Sequence, residues 1–119
     1  WVDAGGKTHE QVYDVKWSGA ETGRKPGANG KLPPVGNTVD LKTATYANSI
    51  GAAELSALWT DPTFDPAQKA FYYVRVLEIP TPRWVAYDVV RYGAKPSSKV
   101  TMIQQERALT SPIWYSPAG

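Results

Sequence analysis

The nine residues Phe71 to Ile79 constrain the fold of this 119-residue chain more than any other stretch. Successive residues of a strand point to opposite faces. Here Tyr72, Val74 and Val76 fall on one face, while Phe71, Tyr73, Leu77 and Ile79 fall on the other. A strand that is apolar on both faces belongs in the middle of a sheet covered on both sides. Arg75 lies within the run and, if buried, requires a carboxylate or backbone carbonyls beside it. A second strand signal is Pro112 to Tyr115, with Pro112 expected at its start because proline has no N–H for a ladder. The two are expected to pair as a hairpin.

A helix is expected to interrupt that hairpin. Thr81-Pro82 followed by Arg83 to Gly93 carries Thr81 as N-cap, Pro82 at the first helical position and Gly93 just past the end. Val85, Val89 and Tyr92 form its expected inner stripe. Lys95 to Ser98 is a connection, Gln104 to Leu109 leads into the last strand, and the tail Ser116 to Gly119 is expected to fray.

The first half carries weaker strand signals. Tyr13, Val15 and Trp17 alternate with Asp14 and Lys16, which predicts a half-buried strand over His9 to Trp17. Gly5-Gly6 before it marks a hairpin turn, because glycine accepts positive φ without strain, and Trp1 to Asp3 is then the stub of a preceding strand. Ser18 to Asn37 holds five of the ten Gly and three of the ten Pro, and is expected to be a long loop. Short strands are predicted at Thr38–Leu41 and Ala44–Ser49. The stretch Gly51 to Thr60 fits both a strand and a helix, and its β-rich surroundings favour the strand. Asp61-Pro62 ends it, and Asp65-Pro66-Ala67-Gln68 is expected to form one turn capped by Asp65.

Composition excludes several functions. A net charge of +2, from 13 basic and 11 acidic residues spread along the chain, provides no footprint for nucleic acid. No apolar stretch approaches the roughly 20 residues that cross a bilayer, so no membrane contact is expected. Cysteine is absent, and with it disulfides, zinc thiolates and thiol nucleophiles. Gly30-Lys31 lacks the upstream Gly and following hydroxyl of a P-loop. Asp61 to Asp65 lacks the oxygen spacing of an EF-hand. No serine sits in a Gly-x-Ser-x-Gly elbow. His9 is the single histidine, which argues against multi-histidine metal sites, and its place after a turn suits an exposed strand residue. No catalytic residue, metal ligand or cofactor is therefore assigned.

The aromatic residues remain. Trp17, Trp59 and Trp114 sit in strand patterns and are expected in the core. Trp84 and Tyr87 ride the inserted helix and, with Arg83, make a candidate contact surface. Arg107, in a surface ion pair with Glu106, is the fourth candidate binding residue.

Taken together, Phe71 to Trp84, Leu58-Trp59-Thr60-Asp61-Pro62 and Glu106 to Tyr115 resemble the C-terminal region of a bacterial family of unknown function. Full-length members are much longer, and their N-terminal portions resemble metal-dependent hydrolases of the PHP phosphoesterase type. A similar pairing of Tyr-Tyr-Val-Arg-Val with Ser-Ser-Pro-Ile-Trp closes other PHP-like proteins as two strands of a terminal β-sandwich. The resemblance runs from Val2 to Pro117. It implies a mainly β chain, an antiparallel, Ig-like β-sandwich with one short helix inserted before the last strand. Residues 1–119 would form a single C-terminal accessory domain of an exported or periplasmic hydrolase-like protein. The family's metal ligands fall in the N-terminal portion, so the chain itself is expected to be no enzyme.

The opening Trp1-Val2-Asp3, with neither initiator Met nor signal pattern, fits a piece of something longer. The expected partners are the missing N-terminal domain and, through an unpaired edge at Trp1 to Asp3 or the following strand, a second copy. An alternative is a carbohydrate- or ligand-binding module with Trp84, Tyr87 and Tyr92 as its platform. An independent small enzyme would have little beyond His9, Asp88 and Glu106 to work with.

Overall fold

A computed structural model describes residues 1–118; the end of the expected fraying tail, Gly119, lies outside the described residues. The chain is mainly β, with two small antiparallel two-stranded sheets and one short helix. In chain order the elements are β1 (Ala70–Tyr72), β2 (Arg75–Pro82), α1 (Trp84–Tyr92), β3 (Ile103–Leu109) and β4 (Ile113–Tyr115). β1 pairs with β4 and β2 with β3. The chain divides into two compact units: residues 1–16, 56–76 and 108–119 form the first, and residues 17–55 and 77–107 the second.

The hairpin expected of Phe71–Ile79 and Pro112–Tyr115 exists, but shorter. β4 opposes only the first part of the run, in the register Ala70↔Tyr115, Phe71↔Trp114 and Tyr72↔Ile113. The run breaks after Tyr72 for an identifiable reason. The Val74 N–H is taken by the Thr110 side-chain hydroxyl at 3.0 Å, and the Val74 carbonyl accepts the Thr110 N–H at 3.0 Å. A side chain thus replaces one rung of the ladder, and the chain resumes as β2 with a new partner. That partner, β3, is a strand of its own where the sequence suggested only a lead-in. Nor is the run buried on both faces: Phe71, Tyr73, Val74, Val76 and Leu77 are all about half exposed or more, and Arg75 is exposed and needs no buried partner.

Within the first unit, the Gly5-Gly6 turn forms as expected. Gly6 sits at φ +79°, its N–H bonds to the Asp3 carbonyl, and Val2 bridges Thr8. Val2 also bridges Lys69 on its other side. No ladder forms along His9 to Trp17; side chains hold the segment instead, Tyr13 lying against Trp59 at 5.0 Å between ring centroids. Gly51 to Thr60 likewise forms neither strand nor helix, and Leu58 there is fully exposed. Asp65 caps its turn as expected, its Oδ1 accepting the Ala67 N–H at 2.9 Å.

In the second unit the loop over Ser18–Asn37 is confirmed, pinned where the Trp17 indole N–H reaches the Arg24 carbonyl at 2.7 Å and the Arg24 guanidinium reaches the Pro33 carbonyl. The two short strands expected after it reduce to a single bridge, Asp40↔Thr45. Asp40 is the reason: its carboxylate turns inward to accept the Lys42 N–H and the Thr43 hydroxyl, curling the chain into a turn that ends on Ala44 at φ +52°.

Helix α1 begins later than its signature suggested. Thr81 and Pro82 belong to β2, and Arg83 is the N-cap, without a side-chain cap bond. The Arg83 N–H is already committed to the Met102 carbonyl at 2.8 Å, which fixes the chain direction there and shifts the helix start. Gly93 ends it in the left-handed region as expected. Val85 and Ala86 are buried, whereas Tyr92, assigned to the inner stripe, is 79% exposed.

Candidate functional site

The most densely bonded side-chain group in the first unit surrounds Asp61. Its Oδ1 accepts the Thr63 N–H at 2.8 Å and the Thr63 hydroxyl at 2.9 Å, and its Oδ2 accepts the Tyr72 hydroxyl at 2.9 Å. The Tyr13 hydroxyl lies 3.5 Å from Oδ1 and 3.1 Å from the Thr63 hydroxyl. Tyr72 is delivered by β1, Asp61 and Thr63 by the turn at Pro62, and Tyr13 by the segment after the Gly-Gly hairpin. The bond from the Thr63 N–H, joined by those from Tyr72, the Thr63 hydroxyl and Tyr13, holds the Asp61 carboxyl below its ordinary range, against partial burial. Burial pushes the Tyr72 phenol up, and its bond to Asp61 adds to this. Trp59 packs on both tyrosines, tilted on Tyr13 and edge-on to Tyr72. This group satisfies its own hydrogen bonds and works as a clamp on β1. Asp61 was legible as a turn residue; nothing in the spacing of Tyr13 and Tyr72 announced that they meet on it.

A second group lies at the start of the chain. The His9 ring stacks on Trp1, with centroids 4.9 Å apart and planes 15° apart, and its Nε2 meets Asp3 Oδ2 at 2.8 Å. The bond from His9, followed by that from the Lys7 N–H, lowers the Asp3 carboxyl. His9 is therefore a bonded, half-buried residue rather than a freely exposed one.

The four candidate binding residues are placed as follows. Arg83 is half-buried at the N-cap of α1, and Trp84 at its first turn is 65% exposed. Tyr87 is half-buried with the Arg91 guanidinium 5.6 Å from its ring centroid, a cation–π contact within the helix. Arg107 is exposed on β3, and among the described residues no hydrogen bond or ion pair joins it to the other three or to Glu106. Glu106 instead accepts from the Gln104 side chain at 2.6 Å. Trp114, expected in the core, is 73% exposed, and Trp59 is 37% exposed.

The two faces of the β1–β4 ribbon differ. On one, Tyr72 reaches Asp61, and Tyr115 packs edge-on to Phe64 at 4.9 Å while its hydroxyl donates to the Pro66 carbonyl. On the other, Phe71 and Trp114 face each other across the ladder with rings 5.0 Å apart, and Tyr73 stacks beside Phe71 at 6.3 Å. These three rings are 49%, 73% and 49% exposed. A shallow cavity of about 230 Å³ lies elsewhere in the unit, beside Asp3, Asp65 and Lys69. Among the described residues, no group of three His, Cys, Asp or Glu side chains could hold a metal ion.

Residues 1–117 match the family model described as "Protein of unknown function (DUF3604)". The chain belongs to this family. No curated protein and no solved structure matches it. The family covers the clamp at Asp61, the exposed rings on β1 and β4 and the helix candidates alike.

Proposed function

We propose that this chain is a non-catalytic accessory β-module that completes its packing against another part of a longer protein. One observation carries the reading: the chain leaves more surface uncovered than a compact domain of its mass, and most of its large hydrophobic side chains stay exposed. Its accessible surface is 9547 Å². A compact monomer of 13.0 kDa exposes about 6,300 Å², and two separate compact bodies sharing that mass about 7,600 Å². Part of the excess belongs to the Gly- and Pro-rich loop, and exposed large hydrophobic side chains contribute to it. The buried hydrophobic side chains are Ala44, Val85 and Ala86, while Leu58, Phe71, Leu109, Ile113 and Trp114 stand in solvent. So many large apolar side chains left exposed favour contact with another protein surface.

The resemblance supplies the identity of the covering part: a PHP-like metal-dependent hydrolase portion of a bacterial, exported or periplasmic protein. In this reading the β-sandwich is formed jointly, with β1 and β4 contributing one layer and the missing portion the layer opposite. Self-association is the lesser partner in this reading, since Val2 at the expected open edge is bridged on both sides. The test is a phosphoester hydrolysis assay with added divalent metal, run on the longer protein and on the isolated chain. Turnover by the longer protein and none by the chain is expected. Turnover by the isolated chain would overturn the reading.

A second reading keeps the exposed aromatic residues of the helix as a ligand platform. Trp84 at 65% and Tyr92 at 79% exposure favour it, but Tyr87 between them is half-buried and already engaged by Arg91. Binding of oligosaccharides that is lost in Trp84→Ala would establish it.

A further inference from the structure

We infer that the residues immediately upstream of Trp1 in the parent polypeptide continue the Trp1–Asp3 segment as an extended strand, inserted between β1 and the segment Glu10–Tyr13 and hydrogen-bonded to both. The inference rests on the reading of the chain as part of a longer protein and names the register in which that protein joins it.

Register supplies the first argument, and all of it lies in the first unit. Trp1 and His9 exchange both backbone bonds, the His9 N–H reaching the Trp1 carbonyl at 2.8 Å and the Trp1 nitrogen donating to the His9 carbonyl at 2.9 Å. Val2 turns the other way. Its N–H meets the Lys69 carbonyl at 3.0 Å, and it bridges both Thr8 and Lys69 in the antiparallel sense. Trp1–Asp3 is thus a middle strand with a neighbour on each side, and antiparallel pairing fixes what lies beyond it. The residue before Trp1 falls between Glu10 and Phe71, and the next between Gln11 and Tyr72. Those further upstream reach Val12 with Tyr73, then Tyr13 with Val74.

Both edges along this line are open. Among the described residues no backbone–backbone hydrogen bond involves residues 10–16, although Tyr13 and Val15 alternate with Asp14 and Lys16 as in a strand. On the other edge, β4 occupies one side of β1 only. The Lys69 carbonyl faces Val2, whereas the Val74 N–H and carbonyl face Thr110. Alternation then turns the N–H and C=O of Phe71 and Tyr73 to the side of Val2, away from β4. Among the described residues nothing bridges that side beyond Lys69. Side chains already span the gap. By this register Tyr13 and Tyr72 share one face, Trp59 packs on both rings, and Asp61 accepts from both hydroxyls.

Geometry also selects the occupant. A strand in this position is collinear with Trp1–Asp3 and runs into Trp1. One from a second copy would have to stop there with its own terminus. Upstream residues of the same polypeptide arrive joined to the Trp1 nitrogen, satisfy the N–H and C=O groups of two edges at once and lose no translational freedom in doing so.

The test is amide hydrogen exchange, resolved by residue, in the proposed longer protein. Hydrogen-bonded rows alternate, so Gln11, Tyr13, Phe71 and Tyr73 are expected to exchange at least about tenfold more slowly than Glu10 and Val12. Equal exchange overturns the inference. A disulfide then identifies the occupant. Cysteine at the position before Trp1 and Glu10→Cys form a non-hydrogen-bonded pair, with Cα atoms about 4.5 Å apart, and should cross-link within one molecule on oxidation. This chain has no cysteine of its own to compete. Cysteine one position further upstream points to the other face and should not cross-link. A disulfide between two copies, or none despite the protection pattern, means that another strand fills the position and overturns the inference. So does a natural protein that begins at Trp1. The accessory-module reading survives every failure but the last, and the phosphoester assay decides it separately.

Discussion

Asp61 gathers a backbone N–H and two or three hydroxyls in the half-exposed centre of the first unit, and its titration has a predictable consequence. Its folded value lies below the ordinary 3.8, so the stabilisation it gives is present above about pH 4 and is lost as pH falls through the folded value. Tyr72 has the opposite sign: raised above 10.0, it contributes below that pH, and the contribution is lost as pH rises through the folded value. Asp61→Asn should therefore flatten the acid limb of unfolding, followed through Trp59 fluorescence, and cost about 1 kcal/mol at neutral pH. An unchanged acid limb would show that the clamp does not hold β1. Glycines give a second contrast. Gly51 and Gly6 both adopt positive φ, at +81° and +79°, but a Cβ on Gly51 would stand 2.5 Å from the Ile79 side chain, whereas Gly6 faces open space. Gly6→Ala should cost about 1 kcal/mol and Gly51→Ala about 2–4 kcal/mol in thermal unfolding.

At the level of elements, the interruptions are as informative as the strands. Thr110 replaces a rung of the ladder at Val74, so Thr110→Val should leave the Val74 N–H without its partner and cost about 1 kcal/mol, read from denaturant midpoints. Helix α1 lacks a side-chain cap at Arg83, and Arg83→Asp should raise stability by about 0.5–1 kcal/mol, with a gain in helical circular dichroism. A loss instead would show that the Arg83 side chain is needed where it stands. These details also mark the limit of what the sequence discloses. The Gly5-Gly6 turn, the Asp65 cap and the Gly93 helix end follow from local chemistry and were legible, and the two dense β patterns marked the segments that pair as β1 and β4. The strand patterns at His9–Trp17 and Gly51–Thr60 were not reliable, because alternation states which side chains want cover and not whether a neighbouring strand is there to supply hydrogen bonds. Thr81-Pro82 misplaced the helix start because β2 claims both residues through pairing that is distant in sequence.

Over the whole molecule, the conflict between pattern and structure has one direction. Phe71, Tyr73 and Trp114 have the composition of buried residues, and the structure leaves them half exposed or more. The sequence singled out Trp84 and Tyr87 on the helix as candidate contacts, of which Trp84 is 65% exposed and Tyr87 half-buried, and it assigned to the core Trp114, which is 73% exposed. A layer over the β1–β4 ribbon, as proposed above, would account for both facts. Hydroxyl-radical footprinting of the proposed longer protein tests it most directly, because the two faces of the ribbon serve as each other's control. If the account holds, Phe71, Tyr73 and Trp114 are oxidised as slowly as the inner-face Tyr72 and Tyr115. Oxidation of those three at the rate of an open surface residue, with Tyr72 and Tyr115 still protected, would contradict it.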